Sequence, residues 1–206
     1  MDDIRNLQEL QLDALREVAN IGAGHAATAL SQMTSRKIMI SVPEVNITRL
    51  EQVAEVLGRP DDVVAAVLMH MMGDLTGRTM IMFPRESARM LCDILLRRPV
   101  GTTQEFGPME ESGLKEAGNI LSSAYLTALS DFMGMMLLPS VPSLVIDLSG
   151  AILTTAYLNF GFERDFVFCL ETEFQFSDEL KGFRGHFLLM PDLASLRAVF
   201  DAIRLT

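Results

Sequence analysis

Residues 13–43, DALREVANIGAGHAATALSQMTSRKIMISVP, return 99 positions later as residues 112–142, SGLKEAGNILSSAYLTALSDFMGMMLLPSVP. Superposed without a gap, the segments agree at 11 of 31 positions, which marks an internal duplication. Inside the first copy, Gly22, Gly24 and Ala27 have the GxGxxA spacing of a dinucleotide-binding turn. Such a turn needs a strand before its first glycine and a helix opening after it, because the pyrophosphate sits on the helix's N-terminal amides. Here Leu7, Leu10, Leu15, Val18, Ala19, Ala26, Leu30 and Met33 recur mostly at three- and four-residue steps, so one helix runs straight through the pattern. The second copy carries Leu121 and Ser123 in place of Gly22 and Gly24. The glycine turn is therefore not what the copies share, and no nicotinamide or flavin cofactor is expected. Small residues at these positions admit either an approaching partner or a neighbouring helix, and the sequence leaves both open.

Outward from the first copy, KIMISVPEVNITRL reads as extended chain, with Pro43 suited to a strand end or edge. Strands are expected at Val63 to Met71 and Arg78 to Phe83, joined by Gly73, Asp74 and Gly77. A helix over RESARMLCDILLRR follows, with Ala88, Leu91, Ile94 and Leu95 on one face, and residues 98 to 110 form a connector. The later parts repeat more loosely: GHFLLMP corresponds to GRTMIMFP, and LASLRAVFDAI to the helix after Pro84. Each half thus reads helix, about three strands, helix, with repeats at about 7–97 and 108–206 of a single domain, 1–206.

The chain of 206 residues carries a net charge of -10 and no Lys/Arg run, which argues against a nucleic-acid or anionic-membrane partner. No apolar run approaches membrane-spanning length and the N-terminus is too charged for a signal peptide, so a cytoplasmic protein is expected. Cys92 and Cys169 lie in separate apolar segments and read as reduced, buried thiols. His25, His70 and His186 are scattered without acidic or cysteine partners at ligand spacing, so no metal site is expected. Ser122, Ser123 and Ser130 lack a nucleophile-elbow context and read as helix-surface residues, while Asp147 and Glu171 have no visible partner.

Chemistry concentrates in one stripe. Asp13, Glu17, Asn20 and Gly24 are spaced by four, three and four, which aligns them along one helix face; Ser112, Glu116, Asn119 and Ser123 form the twin. Asn is a mediocre helix former and is not expected twice at one site by propensity alone. Glu17, Asn20 and Pro43 recur in order and spacing as Glu116, Asn119 and Pro142, and NIGAG includes the first Asn. On these residues the chain resembles the CheC phosphatases of chemotaxis, in the wider CheC, CheX and FliY group, over nearly its whole length. The resemblance implies an α/β (α+β) CheC-like fold whose two pseudo-symmetric halves share an antiparallel sheet. It implies that each motif helix faces the phosphorylated response regulator CheY, that Glu17 and Glu116 pair with the receiver's lysine, and that the receptor deamidase CheD is a further candidate partner. Asp13, Gly24, Ser112 and Ser123 fall to partner contact, and a monomer carrying both sites is expected.

An acyl phosphate held under a receiver's own magnesium ion and lysine needs only an attacking water placed in line. An Asn amide offers a donor and an acceptor and does not titrate, so it can orient water without acting as a base. The alternative from another class is a non-catalytic CheY-binding adaptor of the flagellar switch type. A pure adaptor has no need of a water-positioning amide twice.

Overall fold

The computed structural model describes residues 9–48, 52–53, 59–160, 167–176 and 182–204. Helix α1, Glu9–Thr34, passes unbroken through the glycine pattern. It buries Leu15, Val18, Ala19, Ala23, Ala26 and Leu30, the face that a 3.6-residue period brings together. The strands and helices that follow are β1 (Ile38–Thr48), β2 (Val63–Gly73), β3 (Gly77–Pro84), α2 (Arg85–Leu95) and α3 (Pro108–Met133). After α3 come β4 (Leu137–Pro139), β5 (Ser143–Leu148), α4 (Ser149–Phe160), β6 (Val167–Phe176), β7 (Phe183–Pro191) and α5 (Leu193–Arg204). The sequence reading placed α1 to α3, β1 to β3, β7 and α5; it did not place α4 or β6, or divide the second half's first strand in two.

Among the described residues the strands form one antiparallel sheet in the order β1-β6-β7-β3-β2-β4, with β5 also paired to β2. The order interlocks the two copies. β1 of the first half pairs with β6 of the second, and β4 and β5 of the second pair with β2 of the first. Strand alternation sends Phe168, Leu170 and Phe174 of β6 and Phe183, Phe187 and Leu189 of β7 toward α1, α2 and α3. Phe174 and Phe183 stack at 4.7 Å between ring centres, with Phe83 tilted against Phe174 at 5.8 Å. The opposite face presents Ala66, Met80, Met82, Leu188 and Met190 to Ile152, Leu153 and Ala156 of α4. Cys169 joins this second cluster and Cys92 the first, and burial pushes both thiols up to about 12.

The two roles left open for the glycines divide between them. A Cβ on Gly22 would lie 2.8 Å from Tyr125 Cδ1 and 3.0 Å from Tyr125 Cα, so Gly22 is where α1 admits α3. Gly24 has nothing within 4 Å of such an atom and is exposed. The same substitution should therefore act with opposite sign at the two positions. Gly22→Ala forces the helices apart and is expected to destabilise by about 1–3 kcal/mol. Gly24→Ala gains helix propensity without a clash and is expected to stabilise by up to about 1 kcal/mol. Urea unfolding of the two variants checks this, and equal shifts would contradict the packing argument.

The connector after α2 is pinned. Asp93 is fully buried, and its carboxylate accepts the backbone N–H groups of Gly101 at 2.7 Å, Thr102 at 3.0 Å and Thr103 at 2.9 Å. It also accepts the Thr103 hydroxyl at 2.6 Å. Arg98 then pairs with Glu110 at 2.5 Å, and the Glu110 carboxylate takes the Gly107 N–H at 3.1 Å at the start of α3. These bonds fix how the second motif helix leaves the first half.

Candidate functional site

Both motif helices lie in the layer that covers one face of the sheet, and they meet at the Gly22–Tyr125 crossing. Along α1, Asp13, Glu17 and Gly24 are exposed and Asn20 is half-buried. Along α3, Ser112 and Glu116 are exposed, while Asn119 and Ser123 are half-buried. Each helix thus buries most of its apolar residues and turns one Glu/Asn stripe outward. Asp13 is already engaged, with Arg16 Nη1 at 3.0 Å, although an exposed pair of this kind contributes little.

Asn20 is held at both ends of its amide. Its Nδ2 donates to the Arg16 carbonyl at 3.0 Å, and its Oδ1 accepts the Val42 N–H at 2.9 Å. Val42 lies within the register shift between Ser41 and Glu44, where β1 bulges at the sheet edge. The 22-residue step to Val42 and the Pro that follows it therefore have a physical reason in the first copy: the Asn caps a donor that the bulge removes from the ladder. In the second copy no hydrogen bond joins the Asn119 amide to another described residue.

The remaining sequence candidates separate clearly. Ser122 is fully buried, not a surface residue as expected; α3 packs on α1 and on the sheet, and the Thr79 hydroxyl donates to Ser122 Oγ at 3.4 Å. Glu171 is not without a partner, because Arg184 meets it at 2.6 Å on the adjacent strand. His186 stands opposite Glu171, and burial lowers its pKa against that carboxylate's pull. Among the described residues no cluster of His, Cys, Asp and Glu could hold a metal ion, and no helix is long and apolar enough to cross a membrane.

The CheC-like family profile matches residues 10–47 and 109–146, which are the two motif segments. Over 205 residues the chain is 32% identical to the CheY-P phosphatase CheC of Bacillus subtilis (strain 168), covering 98% of each sequence. The chain belongs to the CheC-like family. Its fold is that of the crystal structure of Thermotoga maritima FliY, with a TM-score of 0.80 at 20% identity over 97% of this chain and 98% of that one. A more distant likeness is to a CheX–CheY–BeF3–Mg2+ complex from Borrelia burgdorferi, with a TM-score of 0.50 at 16% identity over 82% and 95% of the chains.

Within this CheC-like frame the sequence reading missed Ile21 and Ile120. Both follow the motif Asn directly, and Ile21 is 48% exposed while Ile120 is half-buried against the core. Their identity in both copies was a visible signal, but an Ile in a helix reads first as core. Ile21 lies four residues after Glu17 and three before Gly24, on the outward stripe.

Proposed function

We propose that this chain is an aspartyl-phosphate phosphatase that hydrolyses the phosphoryl-aspartate of a CheY-type receiver in chemotaxis. The observation that carries the reading is the pair of outward Glu/Asn stripes, on adjoining helices, in a chain that aligns end to end with a CheY-P phosphatase. Asn20 and Asn119 are the amides that orient the attacking water. Glu17 and Glu116, one helical step earlier and exposed, pair with the receiver's lysine and set the docking. Gly24 leaves room for the receiver's backbone beside Asn20, and Asp13, Ser112 and Ser123 border the contact.

The step balances without a general base. Water attacks phosphorus in line, the bond from phosphorus to the aspartyl oxygen breaks, and its electron pair leaves with the aspartate carboxylate. Both water hydrogens remain on the phosphate released. The amide holds the nucleophile at the correct angle, so its contribution is positioning. Magnesium belongs to the receiver, where it neutralises the phosphoryl oxygens.

A time course of phospho-CheY decay with and without the chain tests the proposal. Acceleration at catalytic amounts is expected. Binding with no acceleration at stoichiometric amounts would assign the chain to the adaptor class instead.

A further inference from the structure

Each motif helix carries a single Lys or Arg, and both stand at the same place in the duplication. α1 has only Arg16 and α3 only Lys115; each directly precedes the motif Glu and lies four residues before the motif Asn. Around the second copy such charge is scarce, because Lys115 is the one Lys or Arg between Arg98 and Arg164. A four-residue step places each cation next to its Asn along the helix surface, and in α1 the Asn20 amide donates to the Arg16 carbonyl at 3.0 Å. Arg16 is exposed and Lys115 half-buried.

Helix stability does not account for this placement. A helix favours cations in its last turn, and neither motif helix has one there. Arg16 meets Asp13 at 3.0 Å, but the residue at the same offset from Lys115 is Ser112, and among the described residues Lys115 makes no ion pair. The local pair is therefore not what the copies share. The charge is, and a guanidinium in one copy and an ammonium in the other leave no fork geometry in common.

Resting on the phosphatase reading above, we propose that Arg16 and Lys115 are the phosphoryl-recognising cations of the two sites, each meeting the anionic phosphoryl oxygens of the docked receiver. A chain of net charge -10 repels an anion, and Glu17 and Glu116 add to that repulsion at the sites themselves. One cation beside each Glu offsets it where the phosphoryl group arrives. A phosphoryl group brings about two negative charges and three acceptor oxygens, so these cations distinguish a receiver that carries it from one that does not. They act on recognition, and the water remains with Asn20 and Asn119.

The test compares the full chain with a double variant, Arg16→Gln with Lys115→Gln, and with a charge-keeping exchange, Arg16→Lys with Lys115→Arg. Binding to CheY in magnesium, with and without beryllofluoride, is measured at low and high salt, together with thermal melting and steady-state hydrolysis of phospho-CheY. The glutamine variant is expected to bind the loaded receiver about tenfold more weakly, to bind the unloaded receiver as wild type does, and to melt with wild type, since the one ion pair it loses is exposed. Salt should erode the wild-type preference for the loaded receiver and leave the variant's smaller preference nearly unchanged, because exposed charges are screened. In hydrolysis KM should rise while kcat changes less, the mark of a group that binds the anion without orienting the nucleophile. The exchange variant should recover most of the preference, as a role of charge alone requires. Equal weakening toward both receiver forms overturns the proposal and assigns the cations to an acidic side chain of the receiver. A glutamine variant with undiminished preference overturns it as well, and so does a loss confined to kcat. A wild-type chain that binds the loaded receiver but does not hydrolyse refutes the phosphatase reading alone; the preference for loaded over unloaded receiver then still decides the role of the cations.

Discussion

A chain carrying both Asn20→Ala and Asn119→Ala is expected to lose most of its phosphatase activity while remaining folded. The two amides are the groups assigned to the attacking water, and a loss of about 1.4 to 2.7 kcal/mol of transition-state stabilisation is a ten- to hundredfold fall in rate. Single variants are expected to retain partial activity, because each motif helix carries its own Glu and Asn. Folding survives for different reasons at the two positions. At Asn119 no bond to a described residue is lost, and alanine is the better helix former. At Asn20 a capped N–H is given up, at a cost of about 1 kcal/mol that leaves the packed face of α1 untouched. Phospho-CheY hydrolysis and circular dichroism on the singles and the double decide the matter. A folded double variant with undiminished activity excludes the asparagine mechanism.

Asp93→Ala is expected to be among the most damaging single changes to stability away from the motif helices. The Asp93 carboxylate accepts three consecutive backbone N–H groups and a hydroxyl at a fully buried position, and Gly101 sits at φ +94 to make that turn. Alanine leaves these donors without their acceptor, at a cost of about 3 kcal/mol or more, which for a chain of this size lowers the melting temperature by about 6 to 12 °C. Asp93→Asn restores the volume but turns an NH2 group toward backbone donors, so it should recover only part of the loss. Thermal unfolding of the two variants beside wild type measures this; an Asp93→Ala chain melting within a degree of wild type would contradict the assigned role.

The duplication, the helix through Gly22 and Gly24, and the outward Glu/Asn stripes were legible in the sequence because each is written in local spacing. Period and identity carry that kind of information. What the sequence did not disclose was tertiary. Ser-Val-Pro is the same tripeptide at 41–43 and 140–142, and only the bonds made by Asn20 in one copy and by Ser140 in the other send Val42 inward and Val141 outward. Asp93 was not singled out, since nothing near it in sequence says that a loop returns to cover it. Ser122 read as surface because polar residues in helices usually are, whereas α3 has neighbours on two sides, and this residue is buried against Thr79 of the sheet.

The exchange of edge strands bears on how such a molecule changes over evolutionary time. Because β1 completes the second half's sheet and β4 and β5 complete the first half's, a mutation that deletes either copy takes away part of the other's scaffold. Neither repeat is free to be lost once fused. A site can then fall silent only by substitution of its few exposed side chains, while the strands and helix beneath it stay under selection for folding. Descendants of one interlocked duplication are thus bound to retain two outlines of the site, and differ in how many of them still work.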